Sequence, residues 1–143
     1  MTIIRSTNHS RSKTFVNNGE LGFYQFTAIW NLECHYEPHV FREEHLETVT
    51  VGDHVGYAPD FWLPQLDAYV EIHDGLKPDR RRRQLTPKQR RIRWLGRHTG
   101  IPVILIHYSN WPDSLSDLMR LERRASLAAT FEYAMPTNLT ACP

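Results

Sequence analysis

Two short apolar runs, PDFWL at residues 59–63 and AYVEIH at residues 68–73, each carry a carboxylate where a strand would ordinarily place a hydrocarbon. Asp60 stands at the mouth of the first and Glu71 inside the second. A carboxylate in such a place is costly unless it is hydrogen-bonded, paired or bound to a cation. Period-two geometry puts Glu71 and His73 on one face of their strand and Val70 and Ile72 on the other. If the intervening PQLD closes a hairpin, Asp60 lies near the start of the partner strand and its carboxylate can converge on Glu71. Two carboxylates with a main-chain carbonyl, such as that of Ile72, make an oxygen-donor set suited to Mg²⁺ or Mn²⁺. An ion held there could activate water and offset charge growing on a phosphate. The plainer readings are that Asp60 is a turn residue after proline and that Glu71 pairs with an arginine.

The charge distribution points the same way. Residues 20 to 74 contain eleven acids against one base, Arg42, whereas Lys77 to Arg97 contain ten bases against one acid, Asp79. Acids to hold cations followed by bases to hold phosphates is the arrangement a metal-dependent enzyme acting on a polyanion needs. Two solvated faces of opposite sign would give the same counts. The candidate phosphate contacts are Arg80, Arg81, Arg82, Arg83, Lys88, Arg90, Arg91 and Arg93, which would give affinity without sequence choice. Cys34, His35, His39 and His45 match no closed zinc spacing. Trp62 and Trp94 fall at positions expected of core residues.

These residues need elements to position them. Asn17, Asn18 and Gly19 precede a helical pattern from Glu20 to about Leu32, and Glu20 in its first turn suits the helix dipole. CHYEPHVF reads as extended; Glu37 could sit near the acidic cluster, yet YEP reads equally well as a loop and Glu37 is left out of the core site, while residues 48–57 read as a strand with a bend or turn. Thr86 and Pro87 open a basic helix that Gly100 stops. IPVILIHYS is a continuous apolar run of strand length, consistent with burial on both faces. Asp113 or Ser114 then caps a last helix with Leu115, Leu118, Met119, Leu121 and Ala125 on its apolar side. The order predicts an α/β domain with a small mixed β-sheet flanked by helices.

YAPDFWLP followed by YVEIH resembles the active-site hairpin of the PD-(D/E)XK nuclease superfamily, in which a Pro-Asp pair, a turn and an acid-x-lysine follow one another. The resemblance covers roughly residues 17 to 108 and is nearest, in size and in the phrase PDF-x-LP, to small phage junction-resolving and Vsr-like endonucleases. It implies a restriction-endonuclease-like core and metal-dependent hydrolysis of DNA, branched DNA among the candidate substrates. It further implies a supporting role for Glu20, metal ligation by Asp60, Glu71 and the Ile72 carbonyl, and a role for His73 where the family has lysine. Histidine can act as a base, but it carries charge only when protonated. Lys77 or Lys88 reaching in from nearby, or catalysis lost altogether, are the alternatives. In the last case the chain would be a nucleic-acid-binding or assembly module with a nuclease fold. An RNA-directed nuclease, or an interaction component of a phage or defence system, is a further alternative, since a fold does not choose its function.

At 143 residues the chain suits one domain, expected over residues 17–143 after a flexible polar arm over 1–16. No apolar stretch approaches the ~18 residues of a membrane span, and the N-terminus lacks the apolar centre of a secretory signal. Two cysteines, one beside the C-terminus, suit a reducing cytoplasm better than a disulfide framework. One site in so short a chain cuts both strands only by acting twice or by pairing, which leads us to expect a homodimer.

Overall fold

A computed structural model describes residues 3–7, 18–43, 50–51, 54–73 and 85–135. The elements are β1 (Ile3–Thr7), α1 (Asn18–Ile29), β2 (His35–Tyr36), β3 (His39–Glu43), β4 (Thr50–Val51), β5 (His54–Val55), β6 (Phe61–Leu63), β7 (Ala68–Ile72), α2 (Pro87–Thr99), β8 (Val103–Ile106) and α3 (Leu115–Ala134). Lys77, Arg80, Arg81, Arg82, Arg83 and His45 lie outside the described residues. Among the described residues, no helix is long and apolar enough to cross a membrane.

The PQLD turn closes because Asp67 accepts a left-handed conformation (φ 50°), which aspartate tolerates better than most residues. Leu66 and Asp67 N–H donate back to the Leu63 and Pro64 carbonyls at 3.2 Å each. β6 and β7 therefore pair antiparallel, with Phe61 opposite Val70 and Trp62 opposite Tyr69. β2 extends this sheet along β6, and β8 joins β7 in parallel, giving the order β2-β6-β7-β8. Parallel pairing needs a crossover, and α2 lies between β7 and β8 in sequence to provide it. The architecture is mixed α/β, with helices on a small mixed sheet.

Helix boundaries follow local chemistry. Thr86 caps α2 in a reciprocal capping box with Gln89, Pro87 occupies the first turn, and Gly100 closes the far end at φ 71°. At the end of α1, Asn31 is left-handed while Leu32 N–H reaches the Thr27 carbonyl at 2.8 Å, a Schellman closure. Of the two residues expected to cap α3, Ser114 takes the role and accepts from Asp117 N–H.

The core lies on both sides of the sheet. Phe23, Phe26, Phe61, Val70, Ile72, Ile106 and Leu118 form one buried cluster, and Phe41, Tyr57, Tyr69, Leu95 and Val103 form the other. Trp62 and Trp94 pack against the second, as their spacing predicts.

Three expectations need correction. The polar arm expected over residues 1–16 contains a strand: β1 pairs antiparallel with β3, Arg5 opposite Phe41. The 48–57 segment, expected as a strand with a bend or turn, is not one continuous strand but holds the short antiparallel pair β4 and β5, with Thr50 opposite Val55. Met119, expected among the apolar contacts of α3, is 42% exposed, because one residue's rotation from Leu118 takes it off the buried stripe.

Candidate metal centre and adjoining pocket

The β6–β7 register continues one step beyond Phe61 and Val70 to set Asp60 against Glu71. Asp60 N–H donates to Glu71 Oε2 at 3.1 Å, and Ile72 N–H donates to Asp60 Oδ2 at 2.8 Å. Each carboxylate is thereby fixed by the strand opposite. Burial pushes the Asp60 carboxyl up to about 9, reinforced by the charges of Glu71 and Glu20, while the Ile72 N–H bond and Lys88 act against the shift. Glu71 is also raised by burial, opposed chiefly by Lys88 and by hydrogen bonds from Asp60. Acids that resist ionisation in each other's presence are acids that a cation would relieve.

Two further carboxylates complete the cluster. Glu20, buried in the first turn of α1, accepts from the Tyr36 hydroxyl at 3.2 Å. Glu37 follows β2 in a left-handed conformation, φ 45°, uncommon for a residue with a side chain, and its N–H donates to the Asp60 carbonyl at 2.8 Å. One oxygen from each of Glu20, Glu37 and Asp60 lies within 4.8 Å of the others. All-oxygen ligation fits a hard cation such as Mg²⁺ or Mn²⁺. The sequence admitted Glu37 near this cluster but left it out of the core site, since YEP reads equally well as a loop and no spacing rule decides between the two.

Glu71, taken from the sequence as a direct ligand, is not in that trio; it holds Asp60 from the opposite side. The Ile72 carbonyl accepts a hydrogen bond from the Lys88 ammonium, so a cation already faces the carbonyl that the sequence reading offered to a metal. His73 extends the strand, donating its N–H to the Ile106 carbonyl at 2.7 Å, with its ring 5.2 Å from that of His107.

The basic residues of α2 divide by position. Arg93 donates from Nε and Nη2 to Glu132 Oε1 on α3, both at 2.9 Å, and Arg90 donates to the Leu85 carbonyl. Arg91 turns inward and is only 9% exposed. It borders a cavity of about 380 Å³ together with Tyr57, Gly56, Glu37 and Glu71. The alternative reading of this block as a merely solvated helix and loop does not describe Arg91: its helical position, one turn from Leu95, carries it toward the sheet.

Among the described residues, Glu20, Glu37 and Asp60 are the only histidine, cysteine or acidic trio close enough to share an ion. The zinc candidates go elsewhere: His35 pairs with Glu33 at 3.0 Å and His39 meets the Tyr69 hydroxyl at 2.7 Å. Compared with family models, curated proteins and solved structures, the chain matches none.

Proposed function

We propose that this chain is a metal-dependent endonuclease hydrolysing phosphodiester bonds in DNA, on a restriction-endonuclease-like core. The observation that carries the reading is the convergence of Glu20, Glu37 and Asp60 within 4.8 Å beside Glu71 and Lys88. Glu20, Glu37 and Asp60 would hold Mg²⁺ or Mn²⁺, and Glu71 keeps Asp60 in place. A bound ion would supply Lewis acidity toward a phosphoryl oxygen and would lower the pKa of a bound water, easing formation of the attacking hydroxide.

Lys88 takes the cationic role that the PD-(D/E)XK resemblance assigns to a lysine two residues after the acid. Its ammonium reaches the Ile72 carbonyl from the first turn of α2, and its field acts on both Asp60 and Glu71. The lysine head group is a compact point charge on a flexible stem, the kind of cation that the resemblance assigns to this role. This reading moves the role from His73 to Lys88 and removes the need to suppose that catalysis was lost. The basic block of α2 and the segment before it supplies charge for DNA, the proposed partner.

The test is cleavage of supercoiled plasmid, a four-way junction, single-stranded DNA and RNA, each with Mg²⁺ and with Mn²⁺, by the wild type and by Asp60→Ala. Metal-dependent DNA cleavage lost in Asp60→Ala is the expected result. No cleavage by the wild type under any of these conditions would overturn the proposal. Salt-sensitive DNA binding without cleavage would assign a binding module instead, and cleavage confined to RNA would replace the substrate.

A further inference from the structure

The cavity beside the acidic cluster holds two buried donors with nothing to donate to. Among the described residues, Arg91 Nη1 and the Tyr57 hydroxyl have no hydrogen-bond partner, although Arg91 is 9% and Tyr57 3% exposed. Buried polar groups are nearly always satisfied, and a guanidinium is the costliest to leave unmet. Both residues line the same cavity of about 380 Å³. They also fix one another, since the Arg91 guanidinium carbon lies 5.9 Å from the centre of the Tyr57 ring. A structural ion pair is the obvious employment for Arg91, but no ion pair joins it to Glu71 among the described residues; it acts on that carboxyl only through its field.

We propose that this cavity is a nucleotide-phosphate subsite, in which Arg91 Nη1 and the Tyr57 hydroxyl donate to non-bridging oxygens of a phosphate next to the bond being cut. The size supports a nucleotide over a bare anion, because the space is several times larger than a phosphate ion requires. The charge pattern supports it as well. Glu37 and Glu71 line the same cavity and would repel a free anion, while a phosphate whose other oxygens face a cation held by Glu37 meets opposite charge on both sides. Gly56 completes the wall at φ 81°, and a side chain there would run into the Phe41 carbonyl oxygen at 2.8 Å. The identity of the ligand rests on the nuclease reading; the existence of an anion subsite does not.

The experiment is titration of the full chain with thymidine 5′-monophosphate and, separately, with inorganic phosphate. Each is followed by calorimetry in EDTA and again with Ca²⁺, for wild type, Arg91→Lys, Tyr57→Phe and the exposed control Arg123→Gln. We expect saturable binding of the nucleotide, strengthened by Ca²⁺ and at least about tenfold tighter than that of phosphate. Arg91→Lys, which keeps the charge but loses the planar fork, should weaken it about tenfold or more. Tyr57→Phe should weaken it about threefold while leaving thermal stability equal or higher, which a purely structural tyrosine would not do. Arg123→Gln should bind as the wild type does. Absence of nucleotide binding with and without Ca²⁺, or wild-type affinity in folded Tyr57→Phe and Arg91→Lys, overturns the subsite. Equal affinity for nucleotide and phosphate overturns its assignment to a nucleotide. Binding by a chain that cuts no DNA leaves the subsite standing and removes the nuclease reading; DNA cleavage with unaltered binding in both variants does the reverse.

Discussion

Asp60 and Glu71 clasp each other across the β6–β7 hairpin: the backbone of Asp60 donates to the Glu71 carboxylate, and the backbone beside Glu71 donates to the Asp60 carboxylate. The two acids are therefore held together by the same register that pairs their strands. Such preorganisation holds two carboxyl groups together in a buried place where ionising both is costly, and its consequences can be measured.

In EDTA, thermal stability should fall as pH rises. The Asp60 carboxyl titrates at about 9 in the fold, because burial and Glu71 oppose ionisation, and near about 4 when the chain is unfolded. The unfolded state thus loses this proton first. The contribution to stability is fully present below about pH 4 and is lost as pH climbs toward about 9. Glu71, raised in the same direction, adds to the trend. Melting curves should show a decline of about 5 °C or more across that window, and Asp60→Asn should flatten it. An equally steep decline in Asp60→Asn would remove Asp60 as the cause.

Mn²⁺ should reverse the penalty. At a hundredfold excess over its dissociation constant, an ion that binds only the folded chain adds about 2.7 kcal/mol, or roughly 5–10 °C for a chain of this length. EDTA should abolish the gain, and Glu37→Gln and Asp60→Asn should show little of it. A full gain in Glu37→Gln would exclude Glu37 from the centre.

Lys88 and His73 separate in a plasmid-cleavage assay. Loss of a cation that stabilises transition-state charge costs on the order of 10²–10³ in kcat, and Lys88→Met should show it. His73→Ala should lose less than about tenfold, below the ~10²-fold or more that a general base contributes. The opposite ranking would return the role to His73.

Gly56→Ala should destabilise the fold. The position combines φ 81° with a wall 2.8 Å from an added Cβ, and that wall is the Phe41 carbonyl, itself bonded to Tyr57 N–H at 2.7 Å. Backbone cannot swing aside as a side-chain tip can, so we expect a loss of roughly 2–4 kcal/mol in chemical denaturation. A change below about 0.5 kcal/mol would contradict this account.

Local chemistry determined a good part of this protein by itself. The turn at PQLD, the cap Thr86, a cap at Asp113 or Ser114, the stop at Gly100 and the apolar run of β8 are decided by residues near one another in the chain, so they could be read from it. Asp60 and Glu71 were legible for a related reason: a hairpin makes distant pairing a matter of counting from its turn. Glu37 was not, because its place beside Asp60 depends on β2 docking against β6 and on a backbone conformation that no pattern announces. Nor was the division of labour within the basic helix. Arg90, Arg91 and Arg93 differ little as sequence, yet packing against the sheet and α3 sends Arg91 into a cavity and Arg93 to Glu132. β1 looked like a loose polar arm because one short strand cannot show which edge it will pair with. Charge and capping act over a few residues and are written in the chain; which carboxylates converge, and which basic side chain meets them, is set by contacts between elements that only the assembled fold creates.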